Sequence, residues 1–305
     1  MSSIRQDLRI GVRSLLKQRS FTAAAVLTLA LGVGTTTAMF SVVYAVVLRP
    51  LPFAEPDRLV KLWTIWKPSL GRGAVSAANA RDWRAQNHVF EELTVVHNNR
   101  SFNFVDHGDA ERLQGARVSA SFFPVLGVSP LLGRVFSQET NEIGHDDVVV
   151  LSYALWLRRF NADPSIVGRT VQLNGVSATV VAVMKPDFRY PSRETELWMP
   201  LTVPAEEYLQ RNSASYSIIA RLKPGVTLEQ ARADMRRVAA NLARQYQENR
   251  STEAGLAPLL DELVDGVRRP LFVLLGAVGA MLLIGCANLT NLLLARGMAR
   301  RRELA

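Results

Sequence analysis

The sequence predicts an α/β (α+β) extracytoplasmic domain of two subdomains, flanked by two transmembrane α-helices. Three observations predict it. The 305-residue chain has no charged residue from Ser20 to Leu48, a run of 29, or from Pro270 to Ala295, a run of 26. A helix needs about 20 apolar residues to cross about 30 Å of hydrocarbon, and no other stretch approaches that. The excess positive charge is confined to the flanks of these runs: residues 1–49, 50–269 and 296–305 carry +5, +1 and +3 of the net +9. Between the runs, strand-like and helix-like patterns alternate, as a mixed α/β domain requires.

The charge distribution carries functional information of its own. Basic residues on short flanks of a membrane helix stay in the cytoplasm, so both termini are expected there and residues 50–269 outside. The same distribution leaves no basic domain for nucleic acid. The single cysteine, Cys286, lies inside the second run, which excludes a disulfide framework within the chain. The first run is about twice the length of a signal-peptide core and is read as a retained anchor.

Residues 1–19 place Ile4, Leu8, Val12 and Leu15 at helical spacing, with Arg5, Arg9, Arg13 and Lys17 on a neighbouring stripe. That pattern describes a cytoplasmic amphipathic helix lying in the interface, bound to membrane lipid by apolar burial and anionic head groups. A plain basic flank is the alternative. Transmembrane helix 1 is assigned to 20–48. It carries Ala30, Gly34 and Ala38 at four-residue spacing, which lets helix backbones approach closely in lipid. Thr35, Thr36 and Thr37 can bond back to the preceding turn. Transmembrane helix 2 is assigned to 270–295, where Gly276 and Ala280 repeat the small-residue spacing. Asn288 and Asn291 are expected to face protein rather than lipid. At 1.5 Å per residue the two runs measure about 43 and 39 Å, more than the bilayer needs.

The middle opens with a strand at 58–66. Ser76 caps a helix reaching Gln86, and strands follow at 90–105 and 111–118. A short helix runs from Ser119 to Gly127. A strand at 147–151 leads into a helix ending at Phe160. Residues 169–184 form a hairpin turning at Asn174-Gly175, a dipeptide suited to the positive φ angles of a type I′ turn. A strand at 216–222 precedes Thr227, which caps a helix over 228–246 with Ala231, Met235, Val238, Leu242 and Tyr246 on one face. A last strand is expected at 254–260. One subdomain is therefore expected from 50–95 plus 212–265, the other from 96–211.

Chemistry-bearing motifs are missing. The chain has no phosphate-binding G-x-x-x-x-G-K-[ST], no H-E-x-x-H, no paired C-x-x-C and no G-x-S-x-G. His145-Asp146-Asp147 is too local to converge on one ion. His107-Gly108-Asp109 reads as a turn. No catalytic, cofactor-binding or metal-binding residue is assigned, and the chain is not expected to be an enzyme.

Five separated segments carry a family resemblance. They are 8–22, the helix from Ala30-Leu31-Gly32-Val33-Gly34 to Phe40-Ser41-Val42-Val43, its exit Leu48-Arg49-Pro50-Leu51-Pro52-Phe53, the stretch Gly168–Gly175, and 286–296 with Arg300-Arg301-Arg302-Glu303-Leu304-Ala305. On these the chain resembles the permease subunits of MacB/FtsX-like ABC transporters, particularly the long duplicated bacterial permeases. The resemblance implies that 50–269 is a MacB-like periplasmic core domain in a protein of the bacterial inner membrane. It implies a separate ABC ATPase subunit as partner, a periplasmic adaptor, and a dimer of permease units or an internally duplicated full-length chain. ATP-driven motion of the helices would be relayed to the periplasmic domain as mechanotransmission, in export or efflux. The basic segment 296–305 would begin the ATPase-docking surface, with Arg300, Arg301, Arg302 and Glu303 as its residues. Family permeases have at least four membrane helices per unit, so the chain is expected to be an N-terminal portion.

A ligand-sensing receptor lacking its cytoplasmic signalling module shares this topology and is the competing reading. The topology itself is testable. In a Cys286→Ser background, cysteines introduced at position 107 or 145 should react with an impermeant maleimide added outside the cytoplasmic membrane. Reaction only from the cytoplasmic side would overturn the assignment.

Overall fold

The computed structural model describes residues 19–106, 109–137 and 147–302. The chain divides into two units, Met1–Arg49 with Leu263–Ala305, and Pro50–Glu262.

In the first unit, α1 (Arg19–Val43) continues through a π-helical turn at Tyr44–Leu48. It packs on α6 (Leu259–Arg302), whose residues from Leu263 onward belong to this unit. Between Leu263 and Asn291 the half-buried positions of α6 are Leu271, Leu275, Val278, Leu282, Gly285 and Leu289, stepping by four and three, with Gly279 beside them. On α1, Gly32, Thr36 and Met39 step likewise. This spacing marks the stripe of each helix that is turned away from the exposed faces. Glycine permits the approach: a Cβ at Gly32 would lie 2.7 Å from Leu282 Cδ1, and one at Gly285 3.3 Å from Thr28 Cγ2. Thr36 donates to the Gly32 carbonyl at 2.8 Å and Thr290 to that of Cys286 at 2.8 Å, so these hydroxyls are satisfied without water. Both helices contain stretches long and apolar enough to cross a membrane, Ala25–Leu48 and Leu259–Asn291.

The second unit is built on one 12-stranded sheet. Its strands are β1 (Leu59–Trp66), β2 (Gly71–Gly73), β3 (Val75–Ser76), β4 (Phe90–Asp106), β5 (Asp109–Val118), β6 (Leu132–Gly133), β7 (Val148–Leu151), β8 (Thr170–Leu173), β9 (Val176–Val183), β10 (Leu197–Pro200), β11 (Ala214–Leu222) and β12 (Thr252–Pro258). The main order is β12-β1-β11-β4-β5-β10-β7-β9-β6. The helices are α2 (Ala77–Gln86), α3 (Phe122–Leu126), α4 (Tyr153–Phe160) and α5 (Leu228–Gln245).

Local chemistry explains the element ends. Ser76 accepts from the Asn79 N–H at 3.2 Å to start α2. Thr227 and Gln230 form a reciprocal capping box at α5. Asn174 and Gly175 have φ of 52° and 79°, which closes the β8–β9 turn with Leu173 opposite Val176. The Asn103 N–H donates to Asn174 Oδ1 at 2.8 Å, fastening that turn to β4.

β4 is 17 residues long. Its first part pairs with β11 through Val96, and its remainder pairs with β5. The boundary expected at 95/96 thus falls inside a strand, and one sheet runs across it. The core nevertheless gathers in separate clusters. One joins Val60, Leu62, Leu93 and Ile218 to Met235, Val238 and Leu242 of α5. A second holds Phe122, Phe123, Phe188, Tyr190 and Trp198, and a third holds Phe104, Leu113, Leu155 and Leu197. Burying each such side chain contributes about 1.5–3 kcal/mol.

The largest departure from the sequence expectation lies at the exit of the second unit. β12 ends at Pro258 rather than residue 260, and α6 begins at Leu259 rather than 270. Asp261 and Glu262 in the first turn of α6 complement the helix dipole, and Pro270 is carried inside the helix. The charged segment 261–269 therefore belongs to the helix.

Candidate coupling site

The chain enters the soluble unit at 50–58 and leaves it at 258–262, and both segments are fixed within it. Leu51 and Phe53 pack against the Phe122–Phe123–Trp198 cluster, and fully buried Leu259 is part of the same cluster. Phe53 meets Tyr190 edge-on at 5.7 Å. The entry and exit segments thus share one core.

Arg221 fastens the entry segment. It lies on β11, between β1 and β4, and its side chain is only 6% exposed. Its Nη2 donates to the Ala54 carbonyl at 2.8 Å and to that of Val125 at 2.6 Å, and Nε donates to Val125 at 3.0 Å. Val125 lies in the last turn of α3, where carbonyls lack helical partners. The planar guanidinium therefore joins an orphan helix carbonyl to the incoming chain, a geometry an ammonium cannot reproduce. Burial pushes the Arg221 pKa down, and neighbouring Arg58 adds to that.

The surroundings are shaped to this contact. Glu55 adopts a left-handed conformation, φ 44°. Gly127 ends α3 at φ 65°, and a Cβ there would lie 2.4 Å from that of Ala54. Arg58 donates to the Leu222 carbonyl at 2.8 Å and pairs with Glu55 at 2.7 Å and with Glu91. The hydrogen bond from Arg58 holds the Glu55 carboxyl below its ordinary range.

The exit segment has its own tie. Arg72 on β2 pairs with Glu262 at 2.6 Å while its guanidinium lies 4.4 Å from the centre of the Trp63 ring. Trp63 in turn faces Gly255 of β12, where a Cβ would lie 2.4 Å from Nε1. Arg72 is half exposed, so this pair contributes less than the buried hydrogen bonds of Arg221.

The residues singled out in the sequence are distributed differently. Ala30, Gly34 and Ala38 lie exposed on the side of α1 away from α6, and Gly34 has open space beside it. Gly276 and Ala280 are exposed on α6, and a Cβ at Gly276 would meet nothing. Asn288 borders a cavity of about 310 Å³ between α1 and α6, together with Thr28, Thr35 and Met281. Asn291 is exposed. The α6 backbone is helical through Arg302, so Arg300, Arg301 and Arg302 continue the helix. Glu303, Arg5, Arg9, Arg13 and Lys17 lie outside the described residues. Sequence reading missed Gly32 and Gly285, whose spacing merges into apolar neighbours. It also missed Arg221, which reads as one arginine at a strand end.

Comparison with known proteins follows this geometry. A family model described as MacB-like periplasmic core domain matches residues 22–238. Among solved structures, a domain described as that of a permease protein from Porphyromonas gingivalis superposes with a TM-score of 0.53 at 17% identity, over 68% of this chain and 93% of that one. The periplasmic region of MacB from Actinobacillus actinomycetemcomitans superposes at 0.51 and 14% identity, over 70% and 93%. No curated protein matches the sequence.

The clamp has a measurable weight. Arg221→Met leaves the buried Val125 carbonyl and the part-buried Ala54 carbonyl without this donor and should lower unfolding stability by about 2–4 kcal/mol. Arg221→Lys should recover only part of that. All five tryptophans lie in the soluble unit, so intrinsic fluorescence during denaturation reports it. A loss below about 0.5 kcal/mol for the methionine variant would show that the entry segment is held elsewhere.

Proposed function

The chain belongs to the family of the MacB-like periplasmic core domain, and from that premise we propose that it couples a separate ABC-type ATPase to movement of its extracytoplasmic unit. It is a transporter permease subunit and an inner-membrane protein with an extracytoplasmic segment. The coupling is our reading. One observation carries it: α6 begins at the residue after β12 ends, with no loop between. A displacement of the helix start is a displacement of the strand end. Arg221 and the shared core hold the other crossing against the same sheet.

In this reading both termini are cytoplasmic and 50–269 faces outward, in keeping with the charge on the flanks. The two halves of the soluble unit, 50–95 with 212–265 and 96–211, act as subdomains joined along β4. The exposed stripe Ala30–Gly34–Ala38, with Gly276, Ala280 and Asn291, meets further membrane helices of the permease or of a second copy. Arg5, Arg9, Arg13 and Lys17 hold the amino terminus on anionic lipid. Arg300, Arg301, Arg302 and Glu303 begin the surface that docks the ATPase, and a periplasmic adaptor completes the export assembly. The family is one of transporters, so the receptor reading is not taken further.

Arginine and lysine separate docking from anchoring, because only the guanidinium fork pairs two-pronged with carboxylates. An affinity-tagged full chain should co-purify an ABC-type ATPase. Replacing Arg300, Arg301 and Arg302 by lysine should lower its recovery roughly tenfold while membrane insertion stays unchanged. Equal recovery would leave these arginines with lipid alone, and absence of any ATPase would refute the coupling.

A further inference from the structure

A polar row crosses the soluble unit where its sheet changes partners. β4 pairs with β11 only as far as Val96, opposite Ser217. Beyond that point β11 turns to β3, with Tyr216 opposite Val75. His97 is the first β4 residue past the separation, and the β4–β5 register shifts between His97 and Arg100. His97 stands directly opposite Arg117 of β5. On its other side the Tyr216 ring meets it edge-on at 5.2 Å. Tyr216 donates to Glu207 Oε2 at 2.5 Å, and Arg117 donates to the Pro200 carbonyl at 3.2 Å. The row Glu207–Tyr216–His97–Arg117 therefore also fastens the connection from β10 to β11, holding it at Pro200 and at Glu207. Asn98 beside it reaches Ser217 Oγ at 3.4 Å, while its own Oδ1 is buried with no partner.

The row tolerates a neutral imidazole and not a charged one. The charged groups facing His97 are Arg100 from its own strand, Arg117 from β5 and Glu207 from the connection, with Tyr216 and Tyr208 as the other titratable groups. Glu207, the one acid among them, is already engaged by Tyr216. Burial pushes the His97 pKa down first, Arg100 and Arg117 push it further, and Glu207 opposes them. A group whose pKa is lower in the closed form binds more protons when the form opens. The closed row is therefore favoured above the ordinary histidine range and weakens as pH falls through it.

We propose that His97 makes this seam a proton-operated joint. On protonation it places a cation directly across the β4–β5 ladder from Arg117, an arrangement that is destabilising in a sheet. The row breaks, and the β10–β11 connection and the upper end of β11 loosen. The two halves of the soluble unit then move more freely about β4. The molecular switch stands on the row alone. Its service as a sensor of extracytoplasmic acidity rests on the outward orientation given above.

Hydrogen exchange of the full chain in detergent micelles tests it at pH 7.5 and 5.5, with exchange times scaled for the intrinsic rate. Amides in 94–101 and 201–219 should lose protection several-fold on acidification, since the open form binds the proton more readily than the closed one. His97→Gln should show equal protection at both values. No loss in the wild type, or the same loss in His97→Gln, would overturn the proposal. Should His97→Gln not fold, Arg117→Gln serves. Removing the opposing cation should raise the His97 titration midpoint, read by NMR of labelled histidine, and reduce the acid-induced loss. An unmoved midpoint would refute the joint. Reversed topology with an intact pH response would remove the sensor role and leave the switch standing.

Discussion

The buried guanidinium of Arg221 is the contact on which the entry of the chain into its soluble unit depends. It occupies a strand between β1 and β4, and it holds the carbonyls of Ala54 and Val125 together. A buried carbonyl without a donor costs about 1–3 kcal/mol, so this position accepts few substitutes. Gly127 and the left-handed Glu55 follow from the same approach, since the chain must pass close to the end of α3 for one side chain to reach both carbonyls. Leu51, Phe53 and Leu259 then complete a core common to the chain's entry and exit.

The exit obeys a different constraint. A single segment within hydrocarbon satisfies its own backbone as a helix, whereas outside it the sheet ladder serves. The switch from ladder to helix takes place between Pro258 and Leu259 without a connecting loop. A loop there would absorb displacement; in the proposed coupling its absence lets a helix movement reach the strand. Within the first unit, Gly32 lies against Leu282 and Gly285 against Thr28, whereas Gly34 and Gly276 have open space beside them.

Much of this architecture was legible in the residues. Charge-free runs marked the two long helices. Ser76 and Thr227 marked helix starts, and Asn174-Gly175 marked a turn, because each has a local physical cause. The start of α6 was hidden for an equally physical reason. Asp261, Glu262, Arg268 and Arg269 read as the end of an apolar run, although charged residues extend a helix readily once it has left the lipid. β2, β3, β6 and β10 are two to four residues long and carry no periodic pattern of their own. β10 exists because β5 and β7 lie on either side of it. The residues that the two proposals rest on were the least legible. Arg221, Arg72 and His97 acquire their roles from partners far away in sequence, and nothing in their immediate neighbours announces them.

The central claim is that motion reaches the soluble unit through the loop-free joint at Pro258–Leu259. The most direct measurement inserts a four-residue Gly-Ser linker at that joint in the reconstituted permease–ATPase complex. Hydrogen exchange of β11 and β12 would be compared with and without a non-hydrolysable ATP analogue. The account predicts a nucleotide-dependent change in protection of both strands in the unaltered protein and its loss in the linker variant, with ATPase binding retained. An equal change in both proteins would contradict it.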